Sequence, residues 1–279
     1  MDQYRRGELV FDVIDEGPAD GVPVVLLHGF PQFNATWDAV IDRLVPHGYR
    51  CIAPNQRGYS PGARPPRRRN YRSDELVADI LALIDAVDAE KVHLVGHDWG
   101  AIVAWLVAAR APQRLVTLTA MSVPHLAAFY KAMATSRQAL ASWYADCFQL
   151  PLVPEAFLLG RGGRGMTWWE GDYGGQSREA AERDARGMAE SGAMTAALHW
   201  YRALPLLNRR DVAKKTTVPA MFIWSDGDVY IKGKGARDCG KYVSAEYRFE
   251  TLHGTHWMLD EQPDAVSDLL VDWLAAHPG

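Results

Sequence analysis

The sequence predicts an α/β protein with a mostly parallel central sheet, flanked by helices and interrupted by one inserted helical cap. Three observations carry this. Val22–Leu27 is an unbroken apolar run rich in valine, the pattern of a strand buried on both faces. Strand-like and helix-like segments alternate along most of the chain, which calls for parallel crossovers. Between residues 125 and 212 that alternation stops. The stretch there is rich in Trp, Tyr, Gly and Arg, with helical patches and no strand-like run.

Taken in order, residues 9–14 alternate like an edge strand, and the buried strand Val22–Leu27 follows and stops at His28-Gly29-Phe30-Pro31. Residues 50–54 give another short strand. Ser73 opens a helix whose Leu76, Ile80, Ile84 and Val87 recur at helical spacing, with Asp74 and Glu75 where the helix dipole favours acids. Residues 92–95 form a strand, Gly96-His97-Asp98-Trp99-Gly100 a sharp turn, and residues 101–109 an alanine-rich helix that ends before Pro112. A strand at 116–121 precedes the insert. Afterwards come a strand at 220–224, a loop carrying Asp226 and Asp228, a strand at Tyr247–Leu252 and a terminal helix at 263–276. The organisation predicted is a core of residues 1–124 and 213–279 with a cap of 125–212. Within the cap, Gly160-Arg161-Gly162-Gly163-Arg164-Gly165 is too short and unrepeated for an RNA-binding tract and reads as a loop. Arg64-Pro65-Pro66-Arg67-Arg68-Arg69 reads as a solvated connection.

Composition narrows the function classes. The 279 residues are 48% hydrophobic, enough for a large core. A net charge of −4 supplies no field that recruits nucleic acid or an anionic membrane, so neither is expected as a partner. Cys51, Cys147 and Cys239 are widely spaced and form no C-x-x-C pair, which argues against a disulfide framework or zinc site and for a cytoplasmic compartment. The charged N-terminus lacks the apolar core of a secretion signal, and no run reaches membrane-spanning length. A homodimer is expected only from the frequency of symmetric assemblies.

Chemistry concentrates at the turn around Asp98. Gly96-His97-Asp98-Trp99-Gly100 has the form G-x-nucleophile-x-G, in which small glycines let the chain turn sharply and present the central side chain above the sheet. An Asp in a strand-to-helix turn ordinarily caps the helix. Here it has partners in the right chain order. Asp226 and Asp228 follow a later strand, and His256 lies in the loop before the last helix, the sequence nucleophile, acid, base. Asp228 is the favoured acid. A carboxylate attacking an acyl carbon gives a reactive anhydride, whereas attack on a saturated carbon gives a stable ester. The substrate therefore carries an electrophilic sp3 carbon, as in epoxides and alkyl halides. His256, oriented by the acid, then activates water against that ester.

The backbone N–H groups of Phe30 and Trp99 are the expected oxyanion hole, and Pro31, having no N–H, is excluded from that role. The Phe30–Pro31 bond is a candidate for the cis form. His97 is expected to pack beneath the elbow. His253 and His256 share an i, i+3 spacing, but no carboxylate pattern supports a metal site, and the chemistry requires neither metal nor organic cofactor.

Together these motifs, with His256-Trp257 and Glu261-Gln262-Pro263, make the chain resemble the epoxide hydrolase and haloalkane dehalogenase branch of the α/β-hydrolases over nearly its whole length. The resemblance implies an α/β-hydrolase fold and is weakest in the cap. Trp200-Tyr201-Arg202 is similar to the N-W-Y-R signature of soluble epoxide hydrolases, with His199 in place of Asn, and Tyr144 sits where their other cap tyrosine lies. The resemblance makes Tyr144 and Tyr201 the acids that protonate the opening epoxide, and it implicates His28, Pro31, Trp99 and Trp200 in substrate binding. The alternative is a haloalkane or haloacetate dehalogenase with the same Asp98, His256 and Asp228, its halide held by Trp99 and by Trp168 or Trp169 of the cap. Phe30 stands where one dehalogenase group has Asn. Trp143, Phe148, Trp168, Trp169 and Trp200 make the cap aromatic, so a small apolar or aryl epoxide is the expected substrate.

Overall fold

The computed structural model describes residues 1–278. Eight strands form one sheet: β1 (Gln3–Arg6), β2 (Leu9–Glu16), β3 (Val22–Leu27), β4 (Tyr49–Pro54), β5 (Val92–His97), β6 (Leu115–Met121), β7 (Ala220–Ser225) and β8 (Tyr247–Leu252). Their spatial order is β1-β2-β4-β3-β5-β6-β7-β8. β2 pairs antiparallel with both β1 and β4, and all remaining pairs are parallel. Winding reverses at β3, so helices cover both faces.

Helices α1 (Asp38–Leu44), α2 (Ser73–Ala86) and α3 (Trp99–Arg110) precede β6. Seven more occupy the interval between β6 and β7: α4 (Leu126–Thr135), α5 (Gln138–Ala141), α6 (Trp143–Cys147), α7 (Val153–Thr167), α8 (Arg178–Ser191), α9 (Met194–Arg202) and α10 (Arg209–Ala213). A π-helical turn, Trp168–Tyr173, joins α7 to α8. α11 (Gly233–Asp238) follows β7, and α12 (Met258–Glu261) and α13 (Pro263–Ala275) close the chain.

Side-chain alternation along β3 divides the interior in two. Val25 and Leu27 enter a core shared with α2 and α3, while Val24 and Leu26 enter one closed by Trp37, Val40 and Leu44 on the α1 side and Leu270 and Trp273 of α13. Nearly all of α3 is buried, and its alanines let the helix lie close against β5 and β6.

The structure corrects the edge of the sheet. Residues 9–14 belong to an inner strand, because β1 adds outside it, with Tyr4 stacked on Phe11 at 4.6 Å and Arg6 paired to Glu75 and Asp79 at 2.9 Å. A four-residue strand with one apolar side chain carries almost no alternation to read. In the Gly160–Gly165 segment, α7 breaks: residues 160–163 leave the helical conformation, and Arg161 has φ +52°.

Candidate active site

Sharp backbone geometry presents Asp98. β5 ends at His97, α3 begins at Trp99, and Asp98 between them holds φ +52° and ψ −117°. A Cβ at Gly100 would overlap the Leu27 carbonyl oxygen, so only glycine allows α3 to start this close to β3. The Phe30–Pro31 bond is cis, and the Phe30 N–H donates to Asp98 Oδ1 at 2.9 Å. That leaves Oδ2 to face His256 Nε2 at 3.5 Å. His256 Nδ1 donates to Asp228 Oδ2 at 2.8 Å, and Asp228 Oδ1 accepts from the Tyr230 and Ile231 N–H groups at 2.8 and 2.9 Å. Both oxygens of Asp228 are thereby occupied, which fixes the imidazole in one orientation.

Asp226 is excluded from this line. It is half exposed and accepts from His253 at the surface, 2.7 Å away, so His253 and His256 turn to different partners.

The ionisation of the site is coupled. Burial works against charge on Asp98, but hydrogen bonding and attraction from His256 outweigh it and hold the carboxyl below its ordinary range. Burial likewise opposes the charged imidazole of His256, yet Asp228 and Asp98 together raise it well above the usual histidine value. His97 lies beneath, its ring 5.0 Å from that of His256 and its Nε2–H donating to the His256 carbonyl at 2.9 Å. Burial and the neighbouring His256 push His97 down to about 4, so it stays neutral.

A cavity of about 690 Å³ opens onto Asp98 and Trp99 and is bordered by Tyr144 and Tyr201. Its walls are mostly apolar, with Ile102, Leu126, Phe129 and Leu204 among them, and Asp146, Gln149 and Arg209 also border it. The two tyrosine rings are 6.0 Å apart, and Trp99 meets the Tyr201 ring edge-on at 5.0 Å. Burial first, then the charge of Asp98, raises Tyr144 well above the ordinary phenol value. For Tyr201 burial is followed by Tyr144 and Asp98, partly opposed by hydrogen bonding from the Trp99 side chain. Both phenols therefore keep their protons.

Three residues expected to bind substrate lie elsewhere. His28 is fully buried, its Nδ1–H donating to the Gly29 carbonyl at 3.1 Å and its Nε2 accepting from the Gln56 N–H at 3.1 Å, so neither ring nitrogen is free. Pro31 is buried in the cis turn and does not border the cavity. Trp200 donates its indole N–H to the Arg57 carbonyl at 2.8 Å, a link between the inserted helices and the sheet rather than a cavity wall. Trp169 is buried against Tyr144, and Trp168 is exposed on the outer surface, so neither tryptophan reaches the cavity.

Sequence reasoning missed Tyr230. Its backbone holds Asp228, its ring packs edge-on against His256 at 5.0 Å, and its hydroxyl donates to the Trp169 carbonyl at 2.8 Å. The available signal was an aromatic two positions beyond the acid.

The model of the alpha/beta hydrolase fold family matches residues 22–263. The chain belongs to the α/β-hydrolase fold family. This α/β-hydrolase is 34% identical to the AB hydrolase superfamily protein YfhM of Bacillus subtilis (strain 168), over 95% of this chain and 94% of that one. It is 30% identical to Epoxide hydrolase 2 of Caenorhabditis elegans, over 91% of this chain and 74% of the relative. Among solved structures, that of Epoxide Hydrolase A from Mycobacterium thermoresistibile superposes with a TM-score of 0.85 at 26% identity, covering 98% of this chain and 97% of the other.

Proposed function

We propose that this α/β-hydrolase opens small apolar or aryl epoxides to vicinal diols through an alkyl ester on Asp98. The observation that carries the reading is the meeting, in one apolar cavity, of an elbow carboxylate with two protonated phenols, Tyr144 and Tyr201. The relatives named epoxide hydrolase support the same reaction class.

In the first step Asp98 Oδ2 attacks an epoxide carbon while the C–O bond breaks. The leaving oxygen takes a hydrogen bond and then a proton from the tyrosine pair, which removes the penalty of releasing an alkoxide. In the second step water attacks the ester carbon and gives its proton to His256, held by Asp228. Charge develops on Oδ1, where the Phe30 N–H already points. Trp99, at the first turn of α3, offers a second N–H without an intrahelical partner. The proton that His256 releases once Asp98 is esterified restores the tyrosine phenol. Collapse of the intermediate breaks the bond to the diol oxygen, which takes the remaining proton of the attacking water, so Asp98 is regenerated as a carboxylate beside recharged His256.

Halide release needs no acid, and no cap tryptophan borders the cavity to form a halide cradle with Trp99. The dehalogenase alternative is accordingly not favoured.

The test is to expose His256→Gln protein separately to styrene oxide and 1-bromobutane and to map any adduct by peptide mass spectrometry. The expected result is a mass gain of one styrene oxide on the peptide holding Asp98, absent from Asp98→Asn. An adduct from the bromide alone, or none from the epoxide, overturns the reading.

A further inference from the structure

The outer face of the inserted helices carries an apolar surface that the cavity chemistry does not use. Trp143, Phe157 and Trp168 are about half exposed and border a hollow of about 670 Å³, with Phe157 and Trp168 packed edge-on at 6.2 Å. At the start of α7, Leu152 is 73% exposed and Val153 lies one helical turn before Phe157. Apolar side chains projecting this far are left wet at a free surface, and contiguous ones mark a contact site.

The second observation is charge. Arg161 and Arg164 line the same hollow, no carboxylate borders it, and neither arginine makes an ion pair among the described residues. The nearest acid in α7, Glu155, is occupied by Arg202 at 2.8 Å. The break in α7 supplies the presentation: glycines surround Arg161, which itself adopts a left-handed φ of +52°. This gives the glycine–arginine segment, otherwise only a loop, a role in the surface.

We propose that this face docks on the surface of an anionic lipid bilayer. Tryptophans at headgroup depth, aliphatic side chains reaching below and arginines against lipid phosphates are the composition of an interfacial contact. A second copy fits less well, because a two-fold axis would set the arginines against an identical patch that bears no carboxylate. Past Arg164 and Trp168 the surface runs into a second hollow where Asp172, Glu182 and Glu190 lie among Arg178 and Arg186, so the cationic character is confined to the hollow of Arg161 and Arg164. Docking would bring lipid beside α6, where Trp143 adjoins Tyr144 of the cavity, a short path for apolar compounds dissolved in the membrane.

Flotation with vesicles of equal parts phosphatidylcholine and phosphatidylglycerol tests the proposal without requiring turnover, so its failure is separable from failure of the epoxide reading. The wild-type protein is expected to float, less so as salt rises. The double variant Arg161→Glu with Arg164→Glu should bind at least about 30-fold more weakly, since each basic residue at an anionic surface contributes roughly fivefold. Arg161→Lys with Arg164→Lys should retain binding. Circular dichroism melts confirm that each variant is folded. Absence of flotation, or equal flotation of the wild-type and charge-reversed proteins, overturns the proposal. So does a concentration-dependent dimer in sedimentation velocity that Phe157→Ser abolishes, which assigns the face to a second copy.

Discussion

Asp98 and His256 hold each other in their charged forms, and this coupling has a kinetic use. Attack converts Asp98 into a neutral ester and removes one of the two negative partners that raise His256. The imidazole then releases its proton more readily, at the stage when the reaction needs a base. Because the carboxyl is held below the ordinary range near pH 4, ester formation should stay constant from neutral pH down to about 5. Rapid-quench measurement of adduct formation in His256→Gln cannot show this, since the variant lacks the coupling; the wild-type burst phase can. Loss of Asp228→Asn activity should be of the order of 1,000-fold or more, because the imidazole loses its orienting anion. Asp226→Asn, which touches only surface His253, should leave turnover nearly unchanged. Tyr144→Phe with Tyr201→Phe should slow epoxide opening by about 100- to 10,000-fold, more than either change alone, in single-turnover assays.

Elements of regular pattern were open to sequence reading, and exceptions have local causes. The continuous run of β3 and the elbow glycines dictate their own geometry, because a buried parallel strand excludes polar residues and Gly100 meets a carbonyl. The order of Asp98, Asp228 and His256 follows from strand order, so these positions could be named without coordinates. Asp228 is favoured over Asp226 from sequence, and the side-chain directions agree, with Asp228 turned inward to His256 and Asp226 outward to His253. His28 and Trp200 were misplaced for a shared reason: their hydrogen bonds go to the carbonyls and N–H groups of other segments, and backbone partners leave no trace in side-chain pattern. α1 escaped because its apolar face spans only two turns.

The inserted helices and the sheet meet across a polar seam with an unusual member. Glu170 is fully buried, neither carboxyl oxygen has a hydrogen-bond partner, and burial followed by repulsion from Asp184 raises its pKa well above 4.5. Nearby, Gln176 bridges Asp184 and Asp260, each at 2.9 Å. The folded chain thus binds a proton at Glu170 that the unfolded chain releases near pH 4.5. Its contribution favours folding at low pH and declines as pH rises toward the raised value, by about 1.4 kcal/mol per pH unit. Glu170→Gln should remove that slope and stabilise the protein at neutral pH, as urea unfolding of both proteins across pH 5–8 will show.

The helical insert leaves the sheet at the end of β6 and returns at the start of β7, its immediate neighbour, where Leu118 pairs with Ala220 and Met121 with Ile223. It is therefore an enlarged version of the crossover that any parallel pair requires. A sheet so wired is indifferent to what the detour contains, provided its two ends arrive in place. Nucleophile, base and acid sit on the chassis, while both proposed proton donors, Tyr144 and Tyr201, and much of the cavity wall ride on the detachable part. Grafting a foreign lid between these two strands would keep the nucleophile and the hydrolysis of its ester, and exchange both the acid that opens the ring and the repertoire of molecules admitted.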